Sequence, residues 1–168
     1  MDIVVFSDSH GNTSRMAVAI DRCGADAVIH LGDGISDIEK LELRDRRRRI
    51  YTYVRGNCDG LRKDIPSEKE FEWEGIKFLI LHGHSMNVKH DTEALEKYAR
   101  SRNADIVLYG HTHTVDNRYL PGQAGEKPLY IFNPGSIGNS CRPTFGFITV
   151  QNGALITNCS VFREDNGI

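Results

Sequence analysis

Five clusters of potential metal donors each follow a short apolar run. Val4-Val5-Phe6 leads into Ser7-Asp8-Ser9-His10, and Val28-Ile29-His30-Leu31 into Gly32-Asp33. Tyr51-Thr52-Tyr53-Val54 precedes Gly56-Asn57-Cys58-Asp59, Phe78-Leu79-Ile80-Leu81 precedes His82-Gly83-His84, and Ile106-Val107-Leu108-Tyr109 precedes Gly110-His111-Thr112-His113. Each apolar run reads as a buried strand, and ligands of open α/β sheets gather beyond the carboxyl ends of strands. In an extended segment residues i and i+2 point the same way, so Asp8 with His10, and His111 with His113, can each face one ion together. Carboxylate and amide oxygens mixed with imidazole nitrogens suit Mn²⁺, Zn²⁺ or Fe. A single histidine at a strand end is ordinarily a hydrogen-bonded residue, and a lone Gly-Asp says little. Five such clusters, each directly after a strand, point to a metal site.

The elements that must position them follow from periodicity. Strands are expected at Ile3–Phe6, Ala27–Leu31, Ile50–Val54 and Ile106–Tyr109, with a hairpin of Lys69–Trp73 and Lys77–Leu81 turning at Glu74-Gly75-Ile76. Helices are expected at Ser14–Cys23, stopped by Gly24, at Ile35–Arg47, and at Asp91–Arg102 with Asp91 or Thr92 as the cap. The last third reads as β: Asn117–Leu120, Leu129–Phe132, Phe145–Val150 and Ala154–Phe162, the last two joined by an Asn152-Gly153 turn. Pro121–Pro128 reads as a surface loop. The order is βαβαβ, then mixed, then β-rich.

The whole chain narrows the function classes. Its 168 residues suit one domain, expected to span 1–168. With 39% hydrophobic and 26% charged residues it is an ordinary globular chain, and a formal net charge of -2 gives no global attraction to nucleic acid or membrane. The run Arg44-Asp45-Arg46-Arg47-Arg48-Arg49 is the local exception. It has no interleaved aromatic platform, so a solvated helix end is expected there. The opening MDIVVFSDSHG turns polar too early for a signal peptide, and no apolar run nears the ~20 residues of a membrane span. Cys23, Cys58, Cys141 and Cys159 are scattered without a CxxC pair, so a cytoplasmic setting is expected.

The ordered series Asp8-x-His10, Gly32-Asp33, Gly56-Asn57-x-Asp59, His82, Gly110-His111-x-His113, continued by Asn133-Pro134-Gly135-Ser136, resembles the calcineurin-like metallophosphoesterase superfamily. The short chain and its Gly56-Asn57-Cys58-Asp59 form resemble the small prokaryotic phosphodiesterases of the YfcE type. The resemblance implies an α/β (α+β) fold, a two-sheet β-sandwich flanked by helices in four layers. It implies two divalent ions, Mn²⁺ foremost, with Ni²⁺, Zn²⁺, Fe or Mg²⁺ as alternatives. One ion would take Asp8, His10, Asp33 and His113, and the other Asp33, Asn57, His82 and His111, with Asp33 shared. The implied activity is metal-dependent phosphoester hydrolysis, foremost of a small phosphodiester, by in-line attack of a hydroxide bridging the ions. Phosphomonoester hydrolysis and a non-catalytic scaffold on the same fold are the alternatives. Relatives of this kind suggest a homodimer. A membrane partner is not expected, nor is nucleic acid.

Cys58 occupies the position where many family members carry a histidine that stabilises the transition state or protonates the leaving group. A thiol is a weak donor, so Asn57, Cys58 and Asp59 are expected around the reacting phosphate, with leaving-group protonation weakened. Asp59 could orient a ligand or cap the turn, and His84 could face the site or bond locally. Asn133 and Ser136 could bond ligands or shape a turn. Arg142 reads as a surface arginine, His30 as a core histidine and His90 as exposed.

Overall fold

The computed structural model describes residues 1–122 and 125–164. Its sheets have five strands each. The first is built from β1 (Asp2–Phe6), β2 (Ala27–His30), β3 (Ile50–Tyr53), β9 (Thr144–Gln151) and β10 (Ala154–Val161), in the order β10-β9-β1-β2-β3. The second holds β4 (Glu68–Trp73), β5 (Ile76–Leu81), β6 (Ile106–Leu108), β7 (Val115–Leu120) and β8 (Leu129–Pro134), in the order β4-β5-β6-β8-β7. The helices are α1 (Thr13–Cys23), α2 (Ile35–Arg44) and α3 (Glu93–Ser101).

Alternation along β1 explains the layers. Ile3 and Val5 enter a core shared with Ile29, Phe78, Ile80, Leu108 and Phe132, which lies between the sheets. Val4 and Phe6 point the other way, onto Met16 and Ile20 of α1 and Ile38 of α2. On the far side Leu79, Leu81 and Val107 pack against Leu95 and Ala99 of α3. The result is the expected four-layer sandwich, and it explains why β1, β2 and β5 read as continuous apolar runs: both of their faces are covered.

β1, β2 and β3 run parallel, with Ile3 opposite Ala27 and Ala27 opposite Ile50. So do β5, β6 and β8, with Phe78 opposite Ile106 and Ile106 opposite Tyr130. Their carboxyl ends emerge on common edges. Each predicted donor cluster leaves from one of these parallel strands.

Several boundaries differ from the periodicity. α2 ends at Arg44, not Arg47, because Asp45 turns the chain: its carboxylate accepts the N–H groups of Arg47 (2.9 Å) and Arg49 (3.1 Å) and pairs with the Arg49 guanidinium at 2.7 Å. Arg49 also donates to Ala25 O at 3.0 Å. This member of the arginine run is therefore a structural clamp. At α3 it is Asp91, not the N-cap Thr92, whose side chain accepts a backbone N–H, that of Glu93 at 3.0 Å. β7 begins two residues earlier than expected, and β8 extends to Pro134, because Val115 pairs with Pro134. Glu74-Gly75 (φ 48° and 78°) and Asn152-Gly153 (φ 52° and 76°) form the tight hairpin turns that need positive φ at both positions. The expected 121–128 loop includes residues 123–124, which lie outside the described residues.

Candidate metal centre

Two groups of donors converge where the parallel strands end. Asp8, His10 and His113 each offer a ligand atom within 4.8 Å of the others, and so do Asp33, His82 and His111. The tandem histidines separate: His111 joins Asp33 and His82, while His113 joins Asp8 and His10. Asp8 and His10 share a group as expected, whereas the expectation that His111 and His113 face one ion together is corrected here. Asp8 (φ 53°), His10 (φ 44°), His111 (φ 65°) and His113 (φ 57°) are all left-handed, as is Asp33 (φ 58°). The segments are tight turns, and a strained backbone in a site is a common mark of function.

His82 tests whether a cation suits these donors. Its ring is buried, and Nδ1 donates to Leu31 O at 2.7 Å, which fixes the tautomer. Nε2 is then a lone-pair donor. It is buried without a hydrogen-bond partner, 3.4 Å from Asp33 Oδ2 and 3.9 Å from Asp8 Oδ1. A basic nitrogen held this way between two carboxylates fits a divalent cation, and a histidine oriented through its other nitrogen is the usual form of such a ligand. Without a cation, burial opposes the charged ring, but Asp33 and Asp8 outweigh it and the His82 pKa is raised. Burial likewise opposes ionisation of Asp33, yet His82 and the Cys58 N–H hold its carboxyl well below the usual carboxylate range. His111 is pushed down by burial and by His82, which favours the neutral ring that metal binding requires.

The Asp8 carboxylate is fully buried and supported throughout. Oδ2 accepts from Ser7 Oγ (2.5 Å) and His111 N (3.0 Å), and Oδ1 lies 3.0 Å from His113 Nε2. Two glycines make room for this arrangement. A Cβ on Gly56 would stand 2.1 Å from Asp33 Oδ1, and one on Gly110 would stand 1.9 Å from Ser7 Oγ.

The three residues after Gly56 take different positions. Asn57 is exposed, and its Nδ2 lies 3.2 Å from Cys58 Sγ. Cys58 is exposed, and its N–H donates to Asp33 Oδ1 at 2.7 Å. Hydrogen bonding to Asp33, with some burial, raises the thiol pKa, which argues against a thiolate nucleophile. Asp59 does not present its carboxylate to either donor group as a ligand. Oδ2 accepts from Asp33 N (2.7 Å) and Gly56 N (2.7 Å), and Oδ1 from Gly34 N and Ile35 N (both 2.9 Å). It caps the start of α2 from the neighbouring loop and is a positioning residue.

A model of the calcineurin-like phosphoesterase superfamily domain matches residues 1–153. The chain belongs to that superfamily. Phosphodiesterase MJ0936 of Methanocaldococcus jannaschii is 34% identical, the match covering 98% of each chain. The probable metallophosphoesterase YsnB of Bacillus subtilis is 31% identical over 82% of this chain and 75% of its own. Among solved structures, Vps29 of Chaetomium thermophilum shares the fold, with a TM-score of 0.75 at 17% identity over 98% of this chain and 90% of that one.

As a calcineurin-like phosphoesterase, the protein places its remaining polar residues mostly in supporting roles. Asn133 donates to Gly110 O (3.0 Å) and Thr112 Oγ1 (3.1 Å), bracing the turn that carries His111 and His113, and Ser136 Oγ donates to Asp8 O at 2.9 Å. His84 is exposed, its ring centroid 5.5 Å from that of His82 and 6.1 Å from that of His111. His90 is exposed. His30 is buried as expected, but it belongs to a chain the sequence reading missed. Gly32 N donates to His30 Nδ1 (3.2 Å), His30 Nε2 reaches Ser9 Oγ (3.2 Å), and Ser9 donates to buried Asp37 (2.7 Å). Asp37 also takes Gly11 N at 2.7 Å, which ties α2 to the Asp8–His10 turn. Arg55 was missed as well; its Nε is buried without a hydrogen-bond partner among the described residues. Its position directly before Gly56 was the only available signal.

Proposed function

We propose that this phosphoesterase is a phosphodiesterase working with two divalent cations, Mn²⁺ foremost. The observation that carries the reading is the buried, unpartnered His82 Nε2 facing Asp33 and Asp8, with two three-residue donor groups around it. Asp8, His10 and His113 would hold one ion, His82, His111 and Asn57 the other, and Asp33 would serve both. Bound there, such ions acidify water and neutralise phosphoryl oxygens.

The chain's own residues do the rest. Asp59 keeps the Asp33 and Asn57 turns in register through backbone N–H groups on both. Ser7 and the His111 N–H fix the rotamer of Asp8. Asn57 offers a neutral oxygen, so the site is not overloaded with charge before an anionic ester arrives. Arg55 supplies a positive charge near His84. Cys58 stands where a leaving group needs a proton, and a weakly acidic thiol supports slow cleavage of esters with poor leaving groups. Small phosphodiesters, a cytoplasmic setting and a homodimer complete the reading. No helix among the described residues is long and apolar enough to cross a membrane.

The scaffold reading is favoured by fold likeness to Vps29 proteins. Against it, every candidate ligand position in this chain carries a competent donor. The test is hydrolysis of bis-p-nitrophenyl phosphate by metal-stripped protein resupplied with Mn²⁺, Ni²⁺, Mg²⁺ or Zn²⁺, beside p-nitrophenyl phosphate and an Asp33→Ala variant. Metal-restored diester cleavage that the variant lacks supports the phosphodiesterase. A folded protein that cleaves neither ester with any metal supports the scaffold, and preference for the monoester supports a phosphomonoesterase.

A further inference from the structure

A cavity of about 420 Å³ adjoins the first donor group. His113 lines it, together with Val115, Asn139, Arg142, Thr144 and Ser160. Its size falls within the ordinary range for small-molecule sites. Two larger cavities, about 580 Å³ beside α1 and the end of α2 and about 530 Å³ beside the end of α3, contain none of the donor residues. The one at His113 is therefore the space a substrate held at Asp8, His10 and His113 would extend into.

The lining charge is one-sided. No carboxylate contributes to it, and burial pushes the neighbouring Cys159 thiol up to about 12, so no thiolate forms there. Arg142 is the one guanidinium in the wall, and among the described residues it has no side-chain hydrogen bond or ion pair. Val115 and Val161, exposed by 41% and 38%, add apolar surface.

Arg142 stands on a loop fastened to the donor turn. Ile137 N donates to Ser7 O (3.2 Å) and Gly138 N to Asp8 O (3.1 Å). A Cβ on Gly138 would lie 2.5 Å from Asp8 O, so only glycine lets the loop come this close. Arg15 Nη1 donates to Asn139 O at 2.9 Å, and Asn139 Oδ1 accepts from Cys141 N (2.9 Å) and Arg142 N (3.0 Å). The root of Arg142 is thus registered against Asp8, the condition for a cation to read a group at a fixed distance from the phosphorus.

We propose that this cavity receives one organic arm of the phosphodiester and that Arg142 pairs with an anionic group, a carboxylate or a second phosphate, on that arm. The substrate class is then a diester with one further negative charge. The inference rests on the phosphodiesterase reading above, so its test has an arm that does not need turnover.

Kinetics would compare p-nitrophenyl ethyl phosphate with the 2-carboxyethyl and 2-phosphoethyl analogues, using Mn²⁺-loaded wild type, Arg142→Ala and Arg142→Lys. Wild type is expected to prefer a charged arm by about tenfold in kcat/KM, mainly through KM. Arg142→Ala abolishes the preference while keeping the ethyl ester within about twofold, and Arg142→Lys retains part of it. Whichever charged arm shows the larger loss identifies the anion. Calorimetry would measure 2-carboxyethylphosphonate against ethylphosphonate on the same proteins, and the carboxylate advantage should disappear in Arg142→Ala. Equal loss with the neutral and charged arms would overturn the proposal, since Arg142 would then grip the scissile phosphate. Absence of any charged-arm preference in wild type, in both kinetics and calorimetry, would also overturn it. If no ester is cleaved yet calorimetry shows the Arg142-dependent advantage, the cavity stands and the phosphodiesterase reading fails.

Discussion

At the residue scale, five candidate ligands hold left-handed backbone that ordinary side chains avoid. Each is stabilised by its surroundings, so an observer scanning for comfortable geometry would see strain where the chemistry is expected. Asp33→Asn should keep the fold and lose diesterase activity by at least about 100-fold, checked by steady-state rates beside circular dichroism. Retained activity would remove Asp33 from the centre. Cys58→His should speed diesters with poor leaving groups by roughly 10-fold or more while changing activated ones little. A leaving-group series with an unchanged slope would show that Cys58 does not stand at the leaving oxygen.

His30 gives a pH prediction at the same scale. Burial lowers its pKa from 6.5 to about 4, only partly offset by Asp59, Asp8 and Asp37. Above pH about 6.5 the ring is neutral in both folded and unfolded chains and contributes no pH dependence. As pH falls from there towards 4, the unfolded chain takes up a proton that the folded one refuses. Stability should therefore fall by up to about 3 kcal/mol over that window. Urea unfolding between pH 7 and 4 checks this, and His30→Gln should flatten the slope.

At the element scale, the site depends on turns being held to one another. Asp59 is the main link between the β2–α2 and β3–β4 connections, accepting four backbone N–H groups. Asp59→Ala should cost at least about 2 kcal/mol by leaving several of these donors unsatisfied, with Asp59→Asn intermediate, as read by urea denaturation. Loss confined to activity, with stability unchanged, would return Asp59 to a direct catalytic role. The strands and most helices were legible because their apolar periodicity is local. Asp59's partners were not, because Asp33, Gly34 and Ile35 are 24 to 26 residues away. Separations of 21 and 28 residues hid the His30–Ser9–Asp37 chain in the same way.

At the scale of the whole molecule, one core joins two sheets and the donors close across their edges. Asp8 and Asp33 leave the first sheet, while His82, His111 and His113 leave the second. Cations that bind only the native arrangement should fasten the sheets together. At about 100 times Kd one bound ion adds roughly 2.7 kcal/mol, so Mn²⁺ should raise the Tm by several degrees in a chain of this size and chelator should reverse it. Differential scanning calorimetry reads this, and Asp33→Asn should reduce the shift. Phe78→Ala, which empties the middle of the inter-sheet core, should cost about 3–5 kcal/mol with or without metal.

The sequence by itself determined the donor inventory, its place after strands and the order of the elements, because residue type and apolar period are local properties; the layered fold was implied by the family resemblance of the donor motifs. Only the tertiary structure decided the geometry that divides the donors into the two groups the family resemblance implied. His111 and His113, two positions apart, join different groups because left-handed turns re-aim side chains that an extended segment would have aligned. Asp59 became a cap because the α2 N-terminus arrives beside it with unpaired N–H groups. Arg142 gained a role to test because its loop is fastened to Asp8, 134 positions earlier in the chain, and that closeness exists only after the sheets have packed.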